Sequence, residues 1–393
     1  MTPAARVQAA IEILDEVIRA ARESGAAADT LVTRYFKARR YAGSGDRRAI
    51  RELVFRAIRK FAEPISGRAA LIGLAADDPG LRDCFDGSSH APADIGPNEV
   101  SAQPALVPAW LRPRFDPLIG EDEFPALLER APIDLRVNRL RGEIEAAQKA
   151  FPEARRTPHS PIGLRLPEGP YGLQTHEAWL SGLVEVQDEG SQLICLASEA
   201  QASMTVVDLC AGAGGKSLAL AAEMGNSGRI VAADTDRGRL DKMRARLDRA
   251  GVLIVERRLL DPGRESEALD DLVGQADLVL VDAPCSGTGT WRRNPETRWR
   301  VNPARLAQLG ALQARLLDLA ETFLRPGGRL VYAVCSLLAE EGREQAEALT
   351  RRSSLVPETM PMPAGRTAGS GMLLSPGRDG TDGFFVARWR RPC

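Results

Sequence analysis

Two cysteines stand beside groups that change what a thiol can do. Cys285 closes the turn Asp282-Ala-Pro-Cys285, which follows the apolar run Leu278–Val281 and leads into a glycine-rich loop carrying arginines and two tryptophans, Trp291 and Trp299. Cys335 lies in Tyr332-Ala-Val-Cys-Ser336 and precedes the acidic pair Glu340-Glu341. A lone cysteine is usually a small buried hydrophobe. An acid and a thiol at the carboxyl end of a buried strand are instead placed to act on a ligand. Neighbouring parallel strands lie about 4.8 Å apart, so thiols at two adjacent strand ends reach one bound base. A thiolate that adds to carbon 6 of a pyrimidine makes carbon 5 nucleophilic, and carbon 5 then takes an electrophilic methyl group. Residue types alone leave open which thiol attacks.

A third segment, Asp208-Leu-Cys-Ala-Gly-Ala-Gly-Gly-Lys-Ser217, separates the apolar strand Thr205–Leu209 from a helix. Glycines there let backbone N–H groups approach a ligand, and a helix N-terminus favours anionic groups. A phosphate-binding Walker loop is excluded because position 210 is Cys rather than Gly, and the dinucleotide fingerprint fails because Ser217 stands where its third glycine belongs. A nucleoside cofactor without a pyrophosphate fits better. Asp234, ending the next strand, is placed to accept from ribose hydroxyls, its alternative being a helix cap. Asp261 follows the third strand, where it either accepts from an adenine amine or ends a turn before Pro262.

These segments need a scaffold, and the alternation of elements supplies one. Strands are expected at Thr205–Leu209, Arg229–Ala233, Leu253–Val255, Leu278–Val281, Leu330–Val334 and Phe384–Trp389. Helices are expected at Gly215–Met224, Arg237–Ala250 and Ala304–Leu324, the last ended by Arg325-Pro-Gly-Gly328. This rhythm predicts an α/β fold with a doubly wound, mainly parallel sheet over 183–393. Ahead of it, 109–182 reads as a small α/β unit, with helical material at Ala109–Arg130, strands at Ile133–Asn138 and Gly163–Leu166, and a short helix at Glu143–Ala150. Asp77–Pro108 has linker composition, giving a linker over 76–108. Residues 1–75 read as helical, with helices at Ala4–Ser24 and Arg47–Phe61. A length of 393 residues accommodates these parts.

Charge is distributed unevenly. The chain carries a formal net charge of −1, yet Arg34–Lys60 holds ten Arg and Lys against Asp46 and Glu52, a local excess of eight, interleaved with Tyr35, Phe36 and Tyr41. A solvated helix face is the ordinary reading of such a run, and nucleic acid is the competing one. Apolar content of 44% and charged content of 27% are those of a globular protein, and no apolar run reaches membrane-spanning length. Val7, Ile11, Leu14 and Ile18 fall at helical spacing with Glu12, Asp15 and Glu16 among them, which argues against a leader peptide and for a cytoplasmic location. Six cysteines without a CxxC pair and three histidines predict reduced thiols and no metal site.

Taken together, DLCAGAGGK, DAPCSGTG and CSLLAEE resemble the motifs of the Nop/Sun family of S-adenosylmethionine-dependent RNA cytosine-5 methyltransferases. The resemblance extends to Leu135–Asn138, Val186–Gln192, Arg292–Trp299 and Asp382–Phe385, and so covers most of residues 130–390. More weakly, Ser44–Arg51 and the residues after it are similar to NusB-like helical RNA-binding domains. The resemblance implies a Rossmann-like class I methyltransferase domain, S-adenosyl-L-methionine as cofactor, and RNA as partner, with small-subunit (16S) rRNA ahead of tRNA. A non-catalytic RNA-binding assembly factor is the alternative of another class. It implies Cys335 as nucleophile, Cys285 as the residue that helps release the methylated product, and Asp282 as a hydrogen-bonding partner of the cytosine near its N3. Cys210, Ala211, Gly212, Ala213, Gly214, Gly215 and Lys216 would line the methionine end of the cofactor, and Asp234 its ribose. Asp261 joins the cofactor set, as does Asp282, which lies beside the cofactor. The chain is expected to act as a monomer. Trp291–Arg300 is a candidate for base stacking and phosphate contact, a structural surface loop being the alternative. Three positions depart from the family: Ala213 replaces the proline of CAAPGGK, and Ala339 and Gly342 replace the proline and asparagine of CSxxPEEN. None of these changes removes a reacting group.

Overall fold

The computed structural model describes residues 1–23, 25–169 and 171–393; Ser24, the expected end of the first helix, lies outside the described residues. The chain forms two compact units. The first comprises Met1–Phe115, Phe124–Glu129 and Ser286–Pro303, and the second Asp116–Glu123, Arg130–Cys285 and Ala304–Cys393.

The first unit is helical: α1 (Pro3–Arg22), α2 (Ala28–Ala38), α3 (Ser44–Lys60), α4 (Gly67–Ala75) and the short α5 (Pro79–Arg82). Thr2 caps α1 by accepting from the Ala5 N–H, and Pro3 has no N–H to leave unpaired. Val7, Ala10, Leu14 and Val17 of α1 join Leu31 and Phe36 of α2, Ile50, Val54 and Ile58 of α3, and Leu71 and Leu74 of α4 in one core. α4 starts close against α1, since a Cβ on Gly67 would sit 2.3 Å from the Ile11 carbonyl oxygen. α3 opens at Ser44, three residues before the expected Arg47, because Asp46 reaches back to the Gly43 N–H at 3.2 Å. Despite its linker composition, Asp77–Pro108 packs into this core through Leu81, Phe85 and Ala102. Helical material expected over Ala109–Arg130 is reduced to the 3₁₀ turns Arg112–Arg114, Glu121–Glu123 and Pro125–Leu127. Prolines at 113, 117 and 125 account for this, each removing a backbone donor.

The second unit holds two sheets. β1 (Ile133–Val137), β2 (Arg155–Arg156), β3 (Gly163–Leu166) and β4 (Val184–Val186) form a small antiparallel sheet in the order β2-β3-β1-β4. With it go α6 (Ile144–Ala150), α7 (Glu177–Leu180) and α8 (Glu189–Ala197). The large sheet is built from β5 (Thr205–Leu209), β6 (Arg229–Asp234), β7 (Val255–Leu259), β8 (Ala276–Asp282), β9 (Leu324–Val334), β10 (Val356–Glu358), β11 (Arg366–Ala368), β12 (Gly371–Leu374) and β13 (Phe384–Arg390). Its order is β11-β12-β13-β9-β8-β5-β6-β7, with β10 pairing on β13. The five strands β5 to β9 run parallel and β13 antiparallel to β9. Connecting helices are α9 (Gly215–Glu223), α10 (Arg237–Ala250) and α11 (Pro303–Phe323), followed by α12 (Arg343–Arg352) and α13 (Pro376–Asp379).

Alternation along the parallel strands fills both faces. Val206, Ile230, Ala232, Leu278 and Leu280 share a core with Leu218, Leu240 and Met243 of α9 and α10. Val207, Val231, Val279 and Val281, one residue out of phase, are buried on the opposite face. The third parallel strand lies at Val255–Leu259 rather than at the expected Leu253–Val255, with Leu253 84% exposed. As the outermost strand β7 needs no apolar run, so its VERRL sequence hid it. β9 begins at Leu324, taking in the expected terminator Arg325–Gly328.

Candidate active site

Strand order reverses between β5 and β8, and an open parallel sheet has its crevice at the carboxyl ends of the strands flanking such a reversal. The loop after β5 and the turn after β8 both end there. Cys210, Gly212 and Gly214 have φ of 80°, 56° and 82°, the left-handed region that a cysteine rarely adopts. Gly214 also lacks room for a side chain, since its Cβ would lie 2.6 Å from Met243 Cγ. The Cys210 and Ala211 N–H groups both donate to the Ala233 carbonyl at 2.9 Å, which ties the loop to β6. Asp234 at the end of β6 accepts from the Gly212 N–H at 2.8 Å and from the Asp236 N–H at 2.7 Å. α9 then opens at Gly215 with no side chain capping its first N–H groups. Asp261 lies beyond β7 and is exposed.

The second residue of α9 connects this loop to the turn after β8. Lys216 Nζ lies 2.5 Å from Asp282 Oδ2, with the lysine side chain 10% and the aspartate 33% exposed. Burial alone would disfavour the ammonium, but the Asp282 carboxylate outweighs it and holds the amine above its ordinary range. Beneath them Asp208 is wholly buried and accepts from Ser217 Oγ at 2.5 Å. Burial pushes its carboxyl up to about 6, with Ser217 opposing and Asp282 adding to the rise. Burial likewise pushes the Cys210 thiol up, reinforced by Asp234 and Asp282, which makes it a poor nucleophile.

β8 and β9 are neighbours, and Asp282 pairs in register with Ala333. Their ends bring Cys285 Sγ and Cys335 Sγ to 3.3 Å, and no disulfide joins them. A buried polar chain sits behind the pair. Ser336 Oγ donates to Glu341 Oε2 at 2.6 Å, and Gln313 Nε2 of α11 donates both to Glu341 Oε1 at 3.0 Å and to the Pro284 carbonyl at 2.9 Å. Tyr332 OH donates to the Glu341 carbonyl at 2.6 Å. Gln313 thus spans the residue before one cysteine and the carboxylate that holds the serine after the other. Of the two replaced family positions in this turn, Gly342 is tight, because a Cβ there would lie 2.8 Å from Phe385 Cγ.

The structure therefore gathers Cys285, Cys335, Asp282 and Lys216 at one crevice, and Asp234 meets the glycine loop through Gly212. Asp208, Ser336 and Glu341 lie inside the motifs that the sequence singles out but gain their roles only in the structure, and Gln313 lies outside them. The acidic pair after Cys335 was a usable signal for Glu341; Gln313, mid-helix, gave none.

The arginine and tryptophan segment needs a correction. Trp291 is wholly buried and packs edge-to-face on Phe115, with ring centroids 6.0 Å apart. Arg298 is 1% exposed and donates to the carbonyls of Ile58, Arg59, Phe61 and Leu106, closing the end of α3. Trp299 Nε1 donates to the Phe61 carbonyl at 3.0 Å, and Glu296 accepts from the Ala28 N–H at 3.1 Å, capping α2 where Ala27 cannot. Trp291 and Arg298 are core parts of the helical unit, out of reach of a base. Tyr35 and Phe36 of the basic stretch are likewise buried, leaving Tyr41 exposed. Ion pairs engage Arg39, Arg51, Arg56 and Lys60. Lys37, Arg40, Arg47, Arg48 and Arg51 line a groove of about 1010 Å³ in this unit.

Comparison with known proteins narrows the reading. The family model for 16S rRNA methyltransferases RsmB/F matches residues 194–390. The probable ribosomal RNA small subunit methyltransferase B of Synechocystis is 33% identical over 302 residues, which cover 72% of this chain and 66% of that protein. The ribosomal RNA small subunit methyltransferase B of Salmonella newport is 33% identical over 305 residues, covering 74% and 68%. The crystal structure of PH0851 is similar over 100% of this chain and 99% of that one, with a TM-score of 0.77 and 26% identity. Among the described residues no helix is long and apolar enough to cross a membrane.

Proposed function

Because the chain belongs to the 16S rRNA methyltransferase RsmB/F family, we propose that it transfers a methyl group from S-adenosylmethionine to carbon 5 of a cytosine in small-subunit (16S) rRNA through a covalent cysteine adduct. The observation that carries this reading is the pair of thiols 3.3 Å apart at adjacent strand ends, beside the Lys216–Asp282 ion pair.

The residues present fit the cofactor. Gly212 and Gly214 expose backbone, the first N–H groups of α9 have no side-chain cap, and a helix N-terminus of this kind suits a carboxylate. Cys210 to Lys216 would hold the methionine end, Asp234 the ribose hydroxyls, and Asp261 the base. When bound, S-adenosylmethionine supplies the electrophilic methyl group. Cytosine carbon 6 is shielded inside a stacked helix, so the target base is flipped out. Cys335 adds to carbon 6. Asp282, paired with Lys216, hydrogen-bonds the cytosine near its N3, where electron density builds up as the thiolate adds, and favours that addition. After carbon 5 is methylated, Cys285, whose sulfur lies 3.3 Å from that of Cys335, takes the carbon 5 proton, so that the carbon 5–carbon 6 double bond re-forms and Cys335 leaves as thiolate. The groove lined by Lys37, Arg40, Arg47 and Arg48 offers RNA phosphates an attractive surface.

Separate cysteine substitutions test the assignment. With labelled cofactor and 16S rRNA, Cys285→Ala is expected to accumulate a protein–RNA adduct stable to denaturation, and Cys335→Ala to form none; the reverse pattern overturns the assignment. Comparing naked 16S rRNA, small subunits and tRNA as substrates tests the choice of RNA.

A further inference from the structure

The glycine loop lacks one constraint that the family motif CAAPGGK carries. Position 213 is Ala rather than Pro, so its φ is not fixed by a ring. Its surroundings raise the cost of that freedom, because Cys210, Gly212 and Gly214 must all hold left-handed backbone around it. The Ala213 carbonyl nevertheless has a firm anchor. Arg246 Nη1, from α10, donates to it at 2.8 Å, and Arg246 Nη2 pairs with Glu185 Oε2 at 3.0 Å. Glu185 is 1% exposed on β4 and also pairs with Arg249, whose guanidinium lies 3.8 Å over the Trp179 ring. A hydrogen-bonded guanidinium with two fixed partners loses little freedom on engaging them, so this bridge is stiff.

We infer that Arg246 is a positioning residue that orders the cofactor loop in place of the missing proline, working through the small sheet's Glu185. The inference rests on the reading of this loop as the S-adenosylmethionine site. It makes a further demand: proline at 213 and arginine at 246 do the same task, so either one suffices. Among the described residues the Ala213 N–H donates no hydrogen bond, so proline sacrifices none there.

The test uses the full chain with Arg246→Met, Ala213→Pro and the double variant, Glu185 keeping Arg249 as partner in each. Hydrogen exchange of residues 209–217 in cofactor-free protein reports loop order, and calorimetry with S-adenosylmethionine reports its consequence. Arg246→Met is expected to speed exchange in the loop at least tenfold and to raise the cofactor Kd about tenfold, near 1.4 kcal/mol. Its melting temperature should stay close to that of the parent. Ala213→Pro in the Arg246→Met background should recover most of both losses, measured against Ala213→Pro alone. Exchange in Arg246→Met equal to the parent overturns the inference, as does a double variant whose loop exchanges as fast as that of Arg246→Met. A parent chain that binds no S-adenosylmethionine would sink the cofactor reading instead, and the exchange arm would still decide the role of Arg246.

Discussion

The two loops that carry the thiols are built in opposite ways. Behind Cys335 the chain turns at once into buried hydrogen bonds, with Ser336, Glu341 and Gln313 each fully buried and engaged within the same unit. Behind Cys285 the chain leaves the second unit altogether, and Ser286–Pro303 packs as part of the helical one. One cysteine is held by its own surroundings; the other is the last residue before a handover. A nucleophile benefits from the first arrangement, because a reacting atom must be placed to within a fraction of an ångström. The second arrangement makes the turn after β8 a covalent link to the unit that bears the basic groove.

The largest expected effect separates the two thiols themselves. Cys335→Ala should lower methyl transfer by about 10³-fold or more, whereas Cys285→Ala should retain a single turnover and stall afterwards, both read in rapid-quench assays. Equal losses of the first turnover would erase the contrast. Next comes the polar chain behind Cys335. Gln313→Leu leaves the Pro284 carbonyl and the Glu341 carboxylate each short of a donor, so it should cost about 1–3 kcal/mol in urea denaturation and lower the rate roughly 100-fold through misplacement. A variant with parental turnover would show that the cysteine turns hold their geometry without the bridge.

On the other side of the contrast, Arg298→Ala should destabilise the helical unit by about 3 kcal/mol, because it orphans carbonyls at the end of α3. Proteolysis and melting of that unit are the measurements, and an unchanged melt would show the segment after Cys285 to be merely draped on the surface. Smaller effects are expected in the groove. Arg40→Ala and Arg48→Ala should each weaken 16S rRNA binding a few-fold and reduce the salt dependence by about one phosphate contact. Binding with an unaltered salt slope would remove the groove from the RNA surface.

A further effect is one of pH and lies at Asp208, next to Lys216 and Asp282. Asp208 titrates near 6 in the folded protein, mainly because it is buried, against about 4 in an unfolded chain. A carboxyl with a raised folded pKa favours its protonated form, so its contribution is full below about pH 4 and is lost as pH rises through about 6. Relative to Asp208→Asn, the parent should therefore lose on the order of 2 kcal/mol between about pH 4 and 7. Denaturation of both proteins across that range checks it, and a pH-independent difference would place the proton elsewhere.

Much of this molecule is legible in its sequence. Short apolar runs such as Thr205–Leu209 and Leu278–Val281, glycine-marked turns and helical spacing over Arg237–Ala250 set the parallel sheet, because these signals are local and each strand is buried on both faces. Motif residues at strand ends placed Asp282, Cys285 and Cys335 at one edge for the same reason. Tertiary structure alone decided what the residues between those signals do. Trp291 and Arg298 read as RNA contacts because tryptophan and arginine serve both surfaces and cores, and no local pattern says which; for Arg298 the carbonyls at the end of α3, some 240 residues away, settle it. The same holds for Gln313 and Arg246, single polar residues on helices whose partners lie on other elements. A hydrogen bond between distant segments leaves no periodicity in either, so only folding brings it to light.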